Sequence, residues 1–477
     1  MTYDNLEPLF HPRSVALVGI TVTNPEHWTR TFLDSLLEFR FEGPIYLVNP
    51  RGGEVEGLKV YPRLEDVPDV IDYVISTIPA QAAPGLVEAC AAKGVKAVHF
   101  CTAGFSETGE EEGARLEAEL AEISRRRGVR IIGPNCMGIY CPESRLSFDP
   151  GFPKEGGAVA FISQSGGNAI NLVRQAAWRG IRFSKVISYG NACDLNESDF
   201  LEQLAADPGT KIIALYIEGV KEGKRLRQVL GKAAEEKVVI LLKAGATEGG
   251  ARAAAGHTGA LAGSEVTWDA LCRQLGIIRV HSLEEMADIL VTLLFLPLPR
   301  GRNVALVGAG GGASVLITDE FEKRGLRVPP FPQEIRGRIR EFTPAAGNIL
   351  RNPIDYSQTI TETEKLVETI RIVSRWEGVD FLVGFVRPGQ APRGARGREL
   401  QMVQGMLEGR RLASKPMAIV LEPSILPGEE KEIFSFSQKL VSSRLAVYYS
   451  FAAAANAISS VLSYNESQPG KVGKWQN

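Results

Sequence analysis

Three short apolar runs govern what this chain can fold into. Residues 14–19 read SVALVG, 158–167 read AVAFISQSGG and 303–312 read NVALVGAGGG. Each run stops at a Gly- or Ser-rich turn and leads into an amphipathic stretch. A continuous Val/Ile/Leu run bounded by turn residues reads as a strand buried on both faces, as in a parallel sheet. Val15, Val159 and Val304 lie 144 and 145 residues apart in a chain of 477. Three strand–turn–helix openings thus match the three domains expected at ~100–200 residues each.

Each third continues with strands alternating with helices. Candidate strands are 44–48, 73–77, 97–101 and 130–132, then 185–188, 212–217 and 238–243, then 381–386 and 417–421. Helical stretches such as 83–93 and 110–127 lie between them, and 168–177 follows the second opening. The alternation predicts three doubly wound α/β domains. One boundary falls in the Pro- and Gly-rich stretch 142–157 and another in the proline-punctuated linker 296–302. The polar tail after Ser463 is expected to fray.

The charge pattern narrows the function. Fifty-four Lys+Arg against 56 Asp+Glu leave a net charge of −2, without the basic excess of a nucleic-acid or anionic-membrane binder. The start lacks the basic cluster and apolar core of a signal peptide, and runs such as 289–298 are too short to span a bilayer. Six scattered cysteines without a CxxC pair argue against a disulfide framework or structural zinc. The expectation is a soluble cytoplasmic protein with no metal site.

In such sheets ligands sit beyond the carboxyl ends of the strands. The first turn, residues 19–29, has the place of a dinucleotide loop but only one of its glycines. The second strand ends in Val48, Asn49, Pro50 and Arg51, where a dinucleotide dehydrogenase would want a carboxylate. Arg51 suits a ribose-bound phosphate, as in coenzyme A; an ordinary surface arginine is an equal reading. The turns at 76–80 and 133–136 read as structural when taken alone.

The second third carries more. Ser163-Gln-Ser-Gly-Gly167 opens a helix whose free N–H groups and dipole suit an anion, or serve only as a cap. His257 lies between Gly256 and Gly259 in a low-bulk segment. A neutral imidazole there can act as a nucleophile, given a partner to orient it. Glu218 is the candidate, since it ends the apolar run 212–217. Either residue alone would read as an exposed loop histidine or a capping carboxylate.

These residues carry a resemblance. HPRSVALVG, VNPR at 48–51, GFSETG at 104–109, GPNCMG at 133–138 and FISQSGG at 161–167 stand in order. SYGNACDLNESDF at 188–200, LYIEGVKEG at 215–223, ARAAAGHTGALAG at 251–263 and RNPIDYS at 351–357 follow. The chain resembles the α subunit of ADP-forming (NDP-forming) acyl-CoA synthetases, relatives of succinyl-CoA synthetase. The resemblance implies a Rossmann-like CoA-binding domain over 1–145 and a flavodoxin-like ligase domain with a phosphohistidine loop over 150–296. A second flavodoxin-like ligase domain over 302–463 and a polar tail over 464–477 complete the chain.

Position by position, His257 matches the phosphorylated histidine and Glu218 the glutamate that stabilises it. Ser165, Gly166, Gly167 and Gly256 match the phosphate-holding residues. CoA binding would fall to Gly19, Thr21, Asn49, Pro50, Arg51, Thr77, Pro79, Gly104, Asn135 and Cys136. The implied substrates are acyl-CoA, CoA and phosphate. ATP or ADP and Mg²⁺ would belong to a separate ATP-grasp β subunit, in an α2β2 assembly.

Two departures stand out. The first loop lacks the family's G-A-S start, runs one residue longer, and has Trp28 or Thr29 where a glycine is usual. The usual lysine of the VNPK motif is Arg51. The altered loop favours a rival reading, a non-catalytic CoA or acyl-CoA sensor on the same scaffold. The intact His257 segment, Glu218 and SQSGG favour the enzyme, and Arg51 with the missing glycines disfavours a nicotinamide dehydrogenase.

Overall fold

The computed structural model describes residues 6–250, 252, 264–308, 311–343, 349–356, 362–386, 396–422 and 430–473. The first strands are β1 (Val15–Val18), β2 (Ile45–Val48), β3 (Gly53–Val55), β4 (Leu58–Tyr61), β5 (Tyr73–Ser76), β6 (Ala97–Phe100) and β7 (Arg130–Ile132). They form one sheet in the order β3-β4-β2-β1-β5-β6-β7. All its pairs are parallel except the edge hairpin β3–β4. Every residue of β1 is buried. Its apolar run is continuous because helices cover both faces, and full burial of each Val or Leu contributes ~1.5–3 kcal/mol.

The second sheet comprises β8 (Gly138–Tyr140), β9 (Val159–Ser163), β10 (Phe183–Ser188), β11 (Ile212–Ile217), β12 (Val238–Lys243) and β13 (Ile278–Val280). Its order is β13-β12-β11-β9-β10-β8, with β8 antiparallel at the edge. The third holds β14 (Val304–Gly308), β15 (Ile349–Leu350), β16 (Ile354–Asp355), β17 (Phe381–Val386), β18 (Met417–Leu421) and β19 (Val447–Tyr448), in the order β15-β16-β14-β17-β18-β19. The fold is α/β with three parallel-dominated sheets. The contacts divide the chain into two units, Met1–Ala177 with Arg182–Leu283, and Trp178–Ile181 with Glu284–Asn477. The first two sheets lie in the first unit and the third sheet in the second.

The helices follow from local chemistry. Glu111–Arg127 has Glu111 and Glu112 in its first turn and three arginines in its last, opposing the helix dipole at both ends. Leu116, Leu120 and Ile123 form its buried stripe, and Gly128 ends it with φ 74°. Glu197–Ala206 starts in a capping box of Asn196 and Asp199. The helix after β9 begins at Gly166, two residues before the start expected from sequence.

The last helix runs from Phe451 to Ser467, past the point where polar composition suggested fraying. Its end is held. The Arg302 guanidinium forks onto Glu466 at 2.9 and 2.8 Å and reaches Ser463 at 2.8 Å, and Tyr464 is buried. No described helix is long and apolar enough to cross a membrane.

Candidate functional site

In the second sheet the chain runs from β9 to β10 on one side and then returns to β11 on the other. The strand order therefore reverses beside β9, the place where α/β sheets open a ligand crevice. Two predicted segments end there: Ser163–Gly167 leaves β9 and Glu218 follows β11. They are clamped together by Gln164, whose side-chain oxygen accepts the N–H of Glu218 at 2.8 Å and of Gly219 at 3.0 Å. The Gln164 N–H in turn donates to the Tyr216 carbonyl at 3.0 Å.

Glu218 is held by more than the clamp. The Tyr216 hydroxyl donates to its Oε1 at 3.1 Å, and burial beside Glu218 raises the Tyr216 pKa, which keeps the donor protonated. The Lys243 ammonium, at the end of β12, donates to the Glu218 carbonyl at 2.7 Å and to the Ala244 carbonyl. Lys243 also lies 5.8 Å from the Trp268 ring centre. Burial, reinforced by Arg279, pushes its pKa down to about 8. Glu218 itself is 6% exposed.

The helix start beside it is built for close approach. Ser163 Oγ donates to the Ser165 carbonyl at 2.7 Å, and Ser165 Oγ accepts the Asn168 N–H at 3.3 Å. A Cβ on Gly166 would come within 2.7 Å of Met137 Cγ, so a side chain would collide with the turn from the first sheet. A Cβ on Gly167 would meet nothing within 4 Å, so the first helical turn opens to space there. A helix N-terminus with exposed N–H groups and no bulk over it suits a phosphate. Gly256 and His257 lie outside the described residues, so the structure leaves the histidine's distance to this pair unstated.

The residues expected to bind CoA gather at the carboxyl edge of the first sheet. Gly19 has φ 93°, and its Cβ would sit 2.7 Å from Ile78 Cγ2, which requires glycine. Thr21 donates its N–H to Thr29 Oγ1 at 3.1 Å, which staples the two ends of the loop together. Asn49 Nδ2 donates to the Ile20 carbonyl at 2.8 Å, and Asn49 Oδ1 accepts the Arg51 N–H at 3.0 Å. Pro50 and Arg51 are exposed. Arg51 makes no ion pair among the described residues.

Thr77 continues the β1–β5 ladder by donating its N–H to Val18, and Pro79 is exposed. Asn135 has φ 59° and donates its N–H to the Thr102 carbonyl at 3.0 Å. The Cys136 side chain is turned inward, with Sγ 3.7 Å from the Phe100 carbonyl, and burial raises its thiol pKa well above the ordinary value. Cys136 therefore reaches any ligand through its backbone alone. Its carbonyl accepts from His99 Nε2 at 2.9 Å.

Sequence reasoning did not single out Gln164, Tyr216 or Lys243. Lys243 had a readable signal, a lone cation closing the apolar run 238–242. Gln164 lay inside a motif already read for its small residues.

Residues 13–142 match a CoA-binding domain and 156–293 a succinyl-CoA-ligase-like flavodoxin domain. The chain is 38% identical over 378 residues to the α subunit of ADP-forming acetate–CoA ligase II of Pyrococcus furiosus, covering 79% of this chain and 81% of the relative. It is 37% identical to ADP-forming acetate–CoA ligase I of Archaeoglobus fulgidus, where the match covers 80% of this chain but 55% of the relative. Among solved structures, the acetyl-coenzyme A synthetase 1 of Candidatus Korarchaeum cryptofilum with phosphate and ADP matches at a TM-score of 0.81 and 32% identity, over 98% of each chain. The fold, the domain matches and these relatives agree: the chain belongs to the ADP-forming acyl-CoA synthetases, acid–thiol ligases related to succinyl-CoA ligase, on the side of their α subunits.

Proposed function

We propose that this chain interconverts acyl-CoA and phosphate with acyl phosphate and CoA, and passes the phosphoryl group through His257. A phosphate oxygen attacks the thioester carbonyl carbon, and the C–S bond breaks to release CoA thiolate, which takes a proton. The His257 imidazole then attacks phosphorus, and the carboxylic acid leaves as its carboxylate. A hydrogen bond to Glu218 stabilises the phosphorylated ring. The helix start at Ser165, Gly166 and Gly167, with Gly256, offsets phosphate charge. A partner β subunit of ATP-grasp type, carrying ADP and Mg²⁺, takes the phosphoryl group to form ATP. The "subunit alpha" of the Pyrococcus relative supports that division, and the family's α2β2 assembly is the expected form.

The observation that carries this reading is the Gln164 clamp. It sets a carboxylate beside an open helix start at the strand ends β9 and β11. CoA would lie along the first sheet's edge, over the turns at Gly19 and Thr21, Asn49–Arg51, Thr77 and Pro79, Gly104, and Asn135–Cys136. We assign residues 1–145, 150–296 and 302–463 to CoA binding and two ligase domains, followed by the segment 464–477, and place the protein in the cytoplasm. Beyond the altered first loop, no observation favours the alternative, a non-catalytic CoA or acyl-CoA sensor.

The test is labelling by acetyl phosphate carrying radioactive phosphorus. The native chain should gain acid-labile, base-stable label, and His257→Ala should gain none. Glu218→Gln should reduce labelling without abolishing it. Label that persists in His257→Ala would refute the assignment.

A further inference from the structure

Two carboxylates converge on one amide where the first and second sheets of the first unit meet. Glu107 lies in the turn after β6, and Glu117 in the helix Glu111–Arg127. Asn191, after β10, is 1% exposed. Its Nδ2 donates to Glu107 Oε2 at 2.5 Å and to Glu117 Oε2 at 2.8 Å, so each amide hydrogen has an acceptor. Glu107 Oε1 accepts the backbone N–H groups of Gly104 and Phe105, at 2.5 and 3.1 Å. Glu117 Oε2 accepts the Ser106 hydroxyl and N–H. The whole turn 104–106 thus hangs on two carboxylates.

Like charges this close repel, and Lys221 supplies the compensating cation. Its Nζ lies 3.2 Å from Glu117 Oε1 and donates to the carbonyls of Asn191 at 2.8 Å and Ala192 at 3.2 Å. The same segment presses on the neighbouring turn. A Cβ on Gly190 would fall 2.2 Å from the Pro134 carbonyl oxygen, Asn191 N–H donates to that oxygen at 3.0 Å, and Cys193 N–H donates to Gly133 at 3.0 Å. Lys221 stands three residues beyond Glu218. One hydrogen-bonded network therefore runs from the turns 104–106 and 133–135 to the turn that carries Glu218.

We propose that Asn191, Glu117 and Lys221 are positioning residues that hold the CoA-facing turns in register with the Glu218 turn. The proposal rests on the assignment of CoA to those turns. These side chains act through the backbone they hold, since their polar atoms are bonded to one another and to main chain. Glu218 is separately fixed by Gln164 and Tyr216. Loss of the network should therefore loosen CoA binding and leave phosphorylation chemistry in place.

The experiment titrates CoA into the intact chain by calorimetry and measures labelling by acetyl phosphate without CoA. Lys221→Met should raise the CoA dissociation constant about tenfold, because binding must then re-order the loosened turns. CoA-free labelling should stay near the native rate. Lys221→Met with Glu117→Gln, which removes the stranded charge, should recover most of the affinity, and Lys221→Arg part of it. General damage would lower labelling as well and would not be repaired by a second substitution. Native CoA affinity in Lys221→Met overturns the proposal. If Lys221→Met does not fold, Asn191→Ser decides: weaker CoA binding supports the proposal and unchanged binding overturns it. A native chain that binds no CoA would instead refute the CoA assignment itself.

Discussion

The turn after β1 and the turn after β9 occupy equivalent places, each at the carboxyl end of a central parallel strand. They use their backbone N–H groups in opposite ways. In the first, Thr29 Oγ1 takes the N–H of Thr21, Thr21 Oγ1 takes those of Thr23 and Asn24, and Asn24 Oδ1 takes that of Glu26. In the second, the side chains of Ser163 and Ser165 stop at the N–H groups of Ser165 and Asn168, and space opens at Gly167. A turn satisfied by its own side chains offers a ligand a shaped surface. A turn with donors to spare offers an anion a grip. Under the proposed function, the same topological position would serve nucleotide recognition in one sheet and phosphate handling in the other.

The sharpest way to break the contrast is a charge at the open turn. Gly167→Asp puts a carboxylate in the first turn of its helix, which ordinarily stabilises by ~0.3–1 kcal/mol. Labelling by acetyl phosphate should nevertheless fall at least about 100-fold, as the carboxylate occupies the anion's place. Unchanged labelling would show that phosphate is held elsewhere.

The second test is of pH. His99 is fully buried under the 133–138 turn, and burial pushes its pKa from the ordinary 6.5 down to about 4. Above 6.5 both folded and unfolded chains hold it neutral. Between 6.5 and 4 only the unfolded chain takes up the proton, so stability falls as the pH falls through that window, by ~3 kcal/mol in all. Melting temperatures from pH 7 to 4.5 should show this loss, and His99→Gln should flatten it. An equal slope in the variant would assign the acid sensitivity to other groups.

Arg51→Ala should weaken CoA about tenfold by calorimetry, since a charge-assisted contact to a phosphate is lost; no change would leave Arg51 a surface residue. The smallest effect is expected at Thr29→Val, which leaves the Thr21 N–H without its acceptor and costs about 1 kcal/mol of stability. CoA affinity in that variant tells whether the staple also shapes the binding surface.

Much of the scaffold was legible because its strands are buried on both faces. The runs 130–132, 212–217, 238–243, 381–386 and 417–421 have the same bounds in sequence and structure. The strands that escaped are short and lie at or next to a sheet edge: β3 and β4, β8, β13, β15, β16 and β19. Two to four residues, some of them polar, carry no periodicity, and their pairing is decided by the sheet they join. Glu218 was legible as a carboxylate closing an apolar run, whereas Gln164 and Asn191 were not. Their roles lie in bonds to residues more than fifty positions away, and nothing in an amide's local neighbourhood announces such a partner.

The placement of β8 has a practical consequence for anyone dissecting this protein. Composition invites a cut near residue 145, after the first sheet. Such a cut would carry β8 away with the wrong piece and strip the outer face of β10, where Val186, Ile187 and Ser188 pair with Tyr140, Ile139 and Gly138. The remaining fragment would display a bare strand of unpaired amides, an invitation to self-association. The first two sheets are thus better handled as one inseparable piece, and a fragment of the second alone should be most soluble when it starts before Gly138.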